Sequence, residues 1–149
     1  MSDLVFVDTN VLIYNEDHTD IAKLQRVSEW LDEVWTSRTG RVSWQVMAEL
    51  NNNLRRKVRP VLNDGTVRSI VSRYFDWKPV PPDEALFRRA WALQDRHSLS
   101  WWDALIVAAA AVAGCRYLLS EDMQAGQDFD GVRLVNPFQH TPEAILRAP

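Results

Sequence analysis

The chain has 149 residues and a net charge of −3, from 20 acidic and 17 basic side chains, so the totals exclude a strongly basic nucleic-acid-binding protein. A hydrophobic fraction of 46% with 25% charged residues is typical of a globular protein and excludes an intrinsically disordered one. The single cysteine excludes a disulfide framework and a cysteine-based zinc site, and the longest apolar run, ten residues over 104–113, is about half of a membrane span.

Short apolar runs of β-type residues predict buried strands, and apolar residues at helical spacing predict helices between them. Strands are predicted over residues 4–7, 117–119 and 132–135, with shorter candidates at 41–43 and 77–80. Helices are predicted to begin near residues 11, 19, 44, 66, 83 and 100, and little pattern is evident after residue 137. The alternation predicts one α/β domain over 1–149, with a mostly parallel central sheet of four to five strands flanked by helices. Its core covers about 3–138, and a short tail covers 139–149.

Acidic residues follow two of the predicted strands. The first strand runs into Asp8, and the strand over 117–119 runs through Ser120 into Glu121 and Asp122. In open α/β sheets ligands bind outside the carboxyl ends of the strands, so Asp8 and Asp122 meet there if the two strands are parallel neighbours. An aspartate after a strand also caps the following helix, so each acid taken alone has an ordinary structural explanation.

Two further acids lie on predicted helices. Ser100 and Asp103 form a capping box with aspartate in place of glutamate, and apolar residues follow at 104–107, so Asp103 serves as a cap, a ligand or both. Glu49 belongs to the helix predicted over 44–58, about 60° around the axis from Val46. It is therefore on the rim of the apolar stripe, where a glutamate is either simply exposed or points into a cleft.

Taken together, the acids predict a metal site. The four candidates are Asp8, Glu49, Asp103 and Asp122. Oxygen ligands without cysteine and with few histidines suit Mg²⁺ or Mn²⁺, and several carboxylates share a small space only when cations neutralise them. In hydrolases such a pocket commonly orients a water molecule and a phosphate for in-line attack. Asn10 and Ser120 lie beside these acids in the sequence and could hold carboxylates or waters in place.

Four motifs resemble those of PIN-domain ribonucleases, in the same order and spacing over about residues 3–138. They are VDTNVL at 7–12, VMAEL at 46–50, SWWDALI at 100–106 and LLSED at 118–122. At this length the chain resembles a VapC-type toxin of a toxin–antitoxin pair. The resemblance implies a parallel sheet between layers of helices and Mg²⁺- or Mn²⁺-dependent cleavage of single-stranded RNA.

The resemblance also assigns roles to the acids. Asp8, Asp103 and Asp122 would hold the metal directly or through water, and Glu49 would bind a second ion or orient the attacking water. At the fourth motif Glu121 is adjacent to Asp122 and Asp128 is close by, so either could share the role for which Asp122 is favoured.

The partners implied by the resemblance are a second copy of the chain, giving a homodimer, and a small antitoxin that inserts a segment near the active site. The first residues carry no basic segment, so we expect no signal peptide, no membrane partner and a cytoplasmic location. For RNA itself, the densest basic run consists of Arg55, Arg56, Lys57 and Arg59, and it is either a solvated helix end or a track for phosphates, with the three arginines as the candidate contacts. Trp101 either stacks on a base or packs internally, and Trp102 is expected in the core.

Three other functions compete with a toxin nuclease. A housekeeping PIN ribonuclease of RNA processing would have the same motifs, and only the neighbouring genes distinguish it. An aspartyl-phosphate phosphatase of the haloacid-dehalogenase type needs a second aspartate two residues after the nucleophile, and Asn10 is there instead. A non-catalytic binding module with a degenerate acidic pocket is disfavoured because all four acidic positions are filled.

Overall fold

The computed structural model describes residues 2–147, which form a five-stranded sheet with helices packed around it. The strands are β1 Leu4–Val7, β2 Gly40–Arg41, β3 Cys115–Leu119, β4 Asp128–Phe129 and β5 Val132–Val135. Their order across the sheet is β2-β1-β3-β5-β4. All neighbouring pairs are parallel except β4 with β5, so the predicted α/β class with a mostly parallel sheet is confirmed.

Within residues 2–147, seven α-helices connect and flank the strands. They are α1 Thr9–Tyr14, α2 Ile21–Ser37, α3 Trp44–Lys57, α4 Asp64–Arg73, α5 Glu84–Arg96, α6 Trp101–Val112 and α7 Pro142–Leu146, with a short 3₁₀ helix over Tyr74–Trp77. Each α-helix begins after a residue whose side chain accepts a hydrogen bond from a first-turn backbone N–H. The capping side chains accept hydrogen bonds from first-turn N–H groups that have no acceptor within the helix, and they fix where each helix begins.

The centre of the sheet is the core of the molecule. The last three residues of β1 and the last two of β3 are almost fully buried, and α6 is buried along residues 104–110, as its nearly all-round apolar sequence predicts. Trp30 of α2 is also fully buried, and its indole N–H donates to the carbonyls of Pro137 and His140. Those bonds attach the C-terminal segment to α2. Within residues 2–147 no helix has both the length and the hydropathy needed to cross a bilayer.

Two short elements of the structure were not predicted, and the strand candidate at 77–80 forms only a bridge between Val80 and Ser43, because Trp77 is the end of the 3₁₀ helix. Strand β4 was not predicted, although Asp130 and Gly131 between β4 and β5 both have positive φ, as the Asp-Gly pair of a tight hairpin favours. The segment after residue 137 forms α7, whose Ile145 is buried, where the sequence shows little pattern. Both elements are too short for periodicity to indicate them.

The expectation for Trp102 is wrong. Its side chain is 64% exposed, because the second position of α6 points away from the sheet. Trp101 is the packed member of the pair, with its ring edge-on to Phe87 at a centroid distance of 5.2 Å. Of the two alternatives for Trp101, internal packing is therefore the one that the structure favours.

Candidate active site

A cavity of about 440 Å³ opens at the carboxyl ends of β1 and β3. Val7 and Leu119 are register partners in these parallel strands, and the backbone N–H of Asp8 donates to the carbonyl of Leu119 at 3.0 Å. The backbone segments that follow β1 and β3 therefore leave the sheet side by side. The cavity is lined by Asp8, Thr9, Asn10, Ile13, Tyr14, Asp17, Glu49, Asn53, Lys57, Glu121 and Asp122.

Asp8 is the most buried acid of this cavity, at 8% exposure. Its carboxylate accepts hydrogen bonds from the Ser120 hydroxyl at 2.9 Å and from the Thr9 backbone N–H at 2.8 Å. Burial raises the pKa of Asp8 to about 6; these hydrogen bonds oppose the rise, and the negative charges of Glu49 and Asp122 add to it. A carboxylate in this environment is stabilised by binding either a proton or a cation.

Asn10 joins Asp8 to the loop after β3. Its amide nitrogen is 2.9 Å from an oxygen of Asp122 and 3.5 Å from an oxygen of Asp8. Its carbonyl oxygen accepts from the backbone N–H of Glu121, and the backbone N–H of Asp122 donates to the Ser120 hydroxyl at 3.2 Å. The structure thus brings four of the sequence-predicted residues into one hydrogen-bonded network.

Glu49 reaches the same cavity from α3. Its two carboxylate oxygens accept from the Thr9 hydroxyl at 2.9 Å and from the Gln45 side-chain amide at 3.1 Å. Both partners hold the carboxylate in one orientation. Thr9 was not recognised in the sequence, because a threonine at the start of a helix has no signal of its own until the helix carrying Glu49 packs against it.

One face of α3 carries polar side chains at every fourth position. These are Gln45, Glu49, Asn53 and Lys57, and the last three line the cavity. Residues four apart lie one above another on a helix, so this spacing was a signal from which Asn53 could have been found and which sets Lys57 apart from the arginines of the basic run.

The fourth motif and the residues that follow it offer three acids, and their surroundings differ. Glu121 lines the cavity, but its carboxylate is paired with Lys23 of α2. Asp128 belongs to β4, is 3.6 Å from Arg116 and does not line the cavity. Asp122 alone has a carboxylate bonded to the network around Asp8, and this favours it for the role given to the fourth motif.

Asp103 does not line the cavity. Its backbone N–H donates to the hydroxyl of Ser100 at 3.1 Å, so the capping role of this motif is realised. Within residues 2–147 its carboxylate makes no hydrogen bond and no ion pair. The structure therefore leaves Asp103 outside the network of the other three acids, and its role as a metal ligand stays a prediction.

The three arginines of the basic run also lie outside the cavity lining. Arg55 is paired with Asp64 of α4, Arg56 is exposed, and the guanidinium of Arg59 donates to the carbonyl of Val58 at 2.8 Å. Their role as a phosphate track stays a prediction.

The donor chemistry of the site fits a hard divalent cation. In the part of the chain that the structure describes, no three His, Cys, Asp or Glu side chains form a group that could hold an ion by themselves. Mg²⁺, however, is commonly held by one or two carboxylates and keeps several waters. Asp8 and Asp122 are such a pair, because an oxygen of each lies within 3.5 Å of the same Asn10 nitrogen.

The comparisons with known proteins agree with this fold. A model of the PIN domain matches residues 5–127. The chain belongs to the PIN domain family. No curated protein sequence gives a significant match to it.

Solved structures similar to this PIN domain come from toxin–antitoxin systems. A toxin–antitoxin complex from Klebsiella pneumoniae contains a chain with a TM-score of 0.61 and 18% identity, covering 89% of this chain and 97% of that one. VapBC2 from Rickettsia felis, bound to a DNA fragment from its promoter, gives a TM-score of 0.59 and 12% identity, covering 88% and 96%. At these identities the likeness establishes the fold.

Proposed function

We propose that this PIN domain is an endoribonuclease that cleaves single-stranded RNA with Mg²⁺ or Mn²⁺ as cofactor. The observation that carries the proposal is the network around Asp8, in which a buried carboxylate with a pKa of about 6 shares a cavity with Glu49 and Asp122. PIN domains are generally nucleases. Clustered carboxylates at the carboxyl end of a parallel sheet suit that chemistry, because a bound cation relieves their repulsion.

Each residue of the cavity has a distinct task in this proposal. Asp8 and Asp122 would hold the cation, with Asp103 as the third ligand that the family resemblance assigns. A bound divalent cation would lower the pKa of a water molecule and neutralise charge on the phosphate. Glu49 orients the attacking water, and its own orientation is fixed by the Thr9 hydroxyl and the Gln45 amide.

Two uncharged residues preserve this arrangement. Ser120 donates to Asp8 and accepts from the backbone of Asp122, while Asn10 donates to the side chain of Asp122 and accepts from the backbone of Glu121. They keep the loop after β3 against the start of α1, so the two metal-binding carboxylates stay at a fixed separation. Such supporting hydrogen bonds typically change metal affinity or activity about 10–100-fold when removed.

The nuclease proposal is tested with the purified chain and a mixed pool of single-stranded RNA. We expect cleavage in Mn²⁺ or Mg²⁺, no cleavage in excess EDTA, and recovery when the metal is restored. Mapping the cut ends gives the sequence preference. RNA that stays intact at every metal concentration, with a folded protein, would contradict the proposal and favour a non-catalytic acidic pocket.

We further propose that the nuclease is the toxin of a toxin–antitoxin pair, acting in the cytoplasm as a homodimer that a small antitoxin restrains. The similar structures from toxin–antitoxin systems support this proposal. The cavity also suits a protein inhibitor, because an antitoxin arginine could pair with its carboxylates bidentately and displace the metal.

Expression in a bacterial host tests the toxin role. We expect the wild-type chain to arrest growth with loss of intact RNA, and co-expression of the small neighbouring gene to relieve the arrest. Asp8→Asn is the control, which should be harmless yet still bind the antitoxin, since most of the interface persists. Normal growth, from a protein that cleaves RNA in the tube, would favour the housekeeping ribonuclease.

A further inference from the structure

The negative charge of the cavity opposes the binding of an RNA substrate. Five of its lining residues are acids and one is a base; the acids are Asp8, Asp17, Glu49, Glu121 and Asp122, and the base is Lys57. The proposed cation would neutralise two of these carboxylates and Lys23 pairs with Glu121, so Asp17 and Glu49 remain to repel a polyanionic chain. A cation of the protein at the mouth of the cavity would offset that repulsion where the RNA enters.

Lys57 is the lining residue that is free to do this. In residues 2–147 its ammonium makes no ion pair and no hydrogen bond, and the side chain is exposed at the last position of α3. Of the other bases in this run, Arg55 pairs with Asp64, Arg59 donates to a backbone carbonyl, and the exposed Arg56 does not line the cavity. Lys23 of α2 does not line the cavity and is paired with Glu121.

The fold also fixes where Lys57 is. It follows Glu49 by two turns on the same face of α3, about 12 Å along the axis at 1.5 Å per residue. Just beyond it, the backbone N–H of His18 donates to the carbonyl of Arg59 at 2.9 Å, and the N–H of Arg59 donates to Asp17 at 3.4 Å. The end of α3 is thereby attached to the loop between α1 and α2, so the base of the Lys57 side chain has a defined position.

From this geometry we infer that Lys57 binds an RNA phosphate that neighbours the scissile one, as the protein's own cationic contact at the mouth of the cavity. The inference rests on the proposed nuclease function. A lysine suits the task because its ammonium is a mobile point charge that binds phosphate without a fixed orientation. Lys57 is thus a substrate-binding residue that sets the path of the RNA across α3.

Lys57→Gln tests the inference, with Lys78→Gln as the matched control. Lys78 is also exposed and unpaired within the described residues, but it follows the 3₁₀ helix and does not line this cavity. Both variants remove one positive charge, so their difference isolates the local contact. Binding of a short single-stranded RNA is measured in EDTA over a range of salt concentrations, and cleavage is measured in Mn²⁺.

We expect Lys57→Gln to reduce the log–log salt slope of binding by about 0.7, which corresponds to roughly fivefold weaker binding at 0.1 M salt. KM for cleavage should rise by a similar factor with kcat little changed, and Lys78→Gln should match wild type in both assays. Equal behaviour of the two variants, or an unchanged slope in Lys57→Gln beside normal cleavage, would overturn the role of Lys57 and leave the nuclease proposal standing. Absence of metal-dependent cleavage in wild type would overturn the nuclease proposal and this inference together.

Discussion

Asp8→Asn is expected to lower the rate of RNA cleavage by at least about 100-fold, because removing a metal-binding carboxylate should cost no less than removing its supporting hydrogen bonds. The fold should survive the change. Asparagine is nearly isosteric with aspartate. Its carbonyl oxygen can still accept from the Ser120 hydroxyl and the Asn10 amide, which share one oxygen of Asp8, so only the hydrogen bond from the Thr9 N–H is lost. The measurement is single-turnover cleavage of a defined RNA in saturating Mn²⁺.

Asp103→Asn is the informative companion variant. The family resemblance predicts the same loss of cleavage, but Asp103 lies outside the network of Asp8, so no change in stability is expected. Asp8→Asn, in contrast, removes a buried charge beside Glu49 and Asp122 and should stabilise the metal-free protein at neutral pH. Retention of full metal-dependent activity by either purified variant would contradict the assignment of that residue.

The main features of the site could be predicted from sequence because they depend on regular geometry. Parallel neighbouring strands place their carboxyl ends at one edge of the sheet, and this is enough to bring Asp8 beside Asp122 once β1 pairs with β3. The apolar stripe of α3 likewise orients Glu49 to the rim of that edge.

Contacts between elements and the exposure of single side chains could not be predicted from the sequence. Thr9 becomes significant only because α3 packs on α1 and brings Glu49 within 2.9 Å of its hydroxyl. The basic run at the end of α3 looked uniform in sequence, yet Arg55 turns to α4 while Lys57 lines the cavity. Trp102 was expected in the core, but in the first turn of α6 it is Trp101 that packs on Phe87, while Trp102 is on the exposed side of the helix.

The metal-free protein is expected to lose stability as the pH rises from about 4 to 7, through the titration of Asp8. The pKa of Asp8 is about 6 in the folded state against 3.8 for the ordinary group, so the folded state binds more protons between these values. The contribution is therefore fully present below pH 3.8 and is lost as the pH rises through about 6. Its full size is about 3 kcal/mol, from 1.36 kcal/mol for each pKa unit.

Urea denaturation in EDTA at constant ionic strength, from pH 4 to 7.5, measures this loss, and Asp8→Asn isolates it. Burial also raises the pKa of Glu16, but that group titrates in both proteins and cancels in the difference of their unfolding free energies. Against the gain of up to about 3 kcal/mol near pH 7, the variant loses one hydrogen bond of about 1 kcal/mol. We therefore expect it to be more stable than wild type by about 1–2 kcal/mol near pH 7 and less stable near pH 4. Parallel pH profiles for the two proteins would show that Asp8 titrates as an ordinary aspartate, and the charge repulsion from which the metal site is inferred would then be absent.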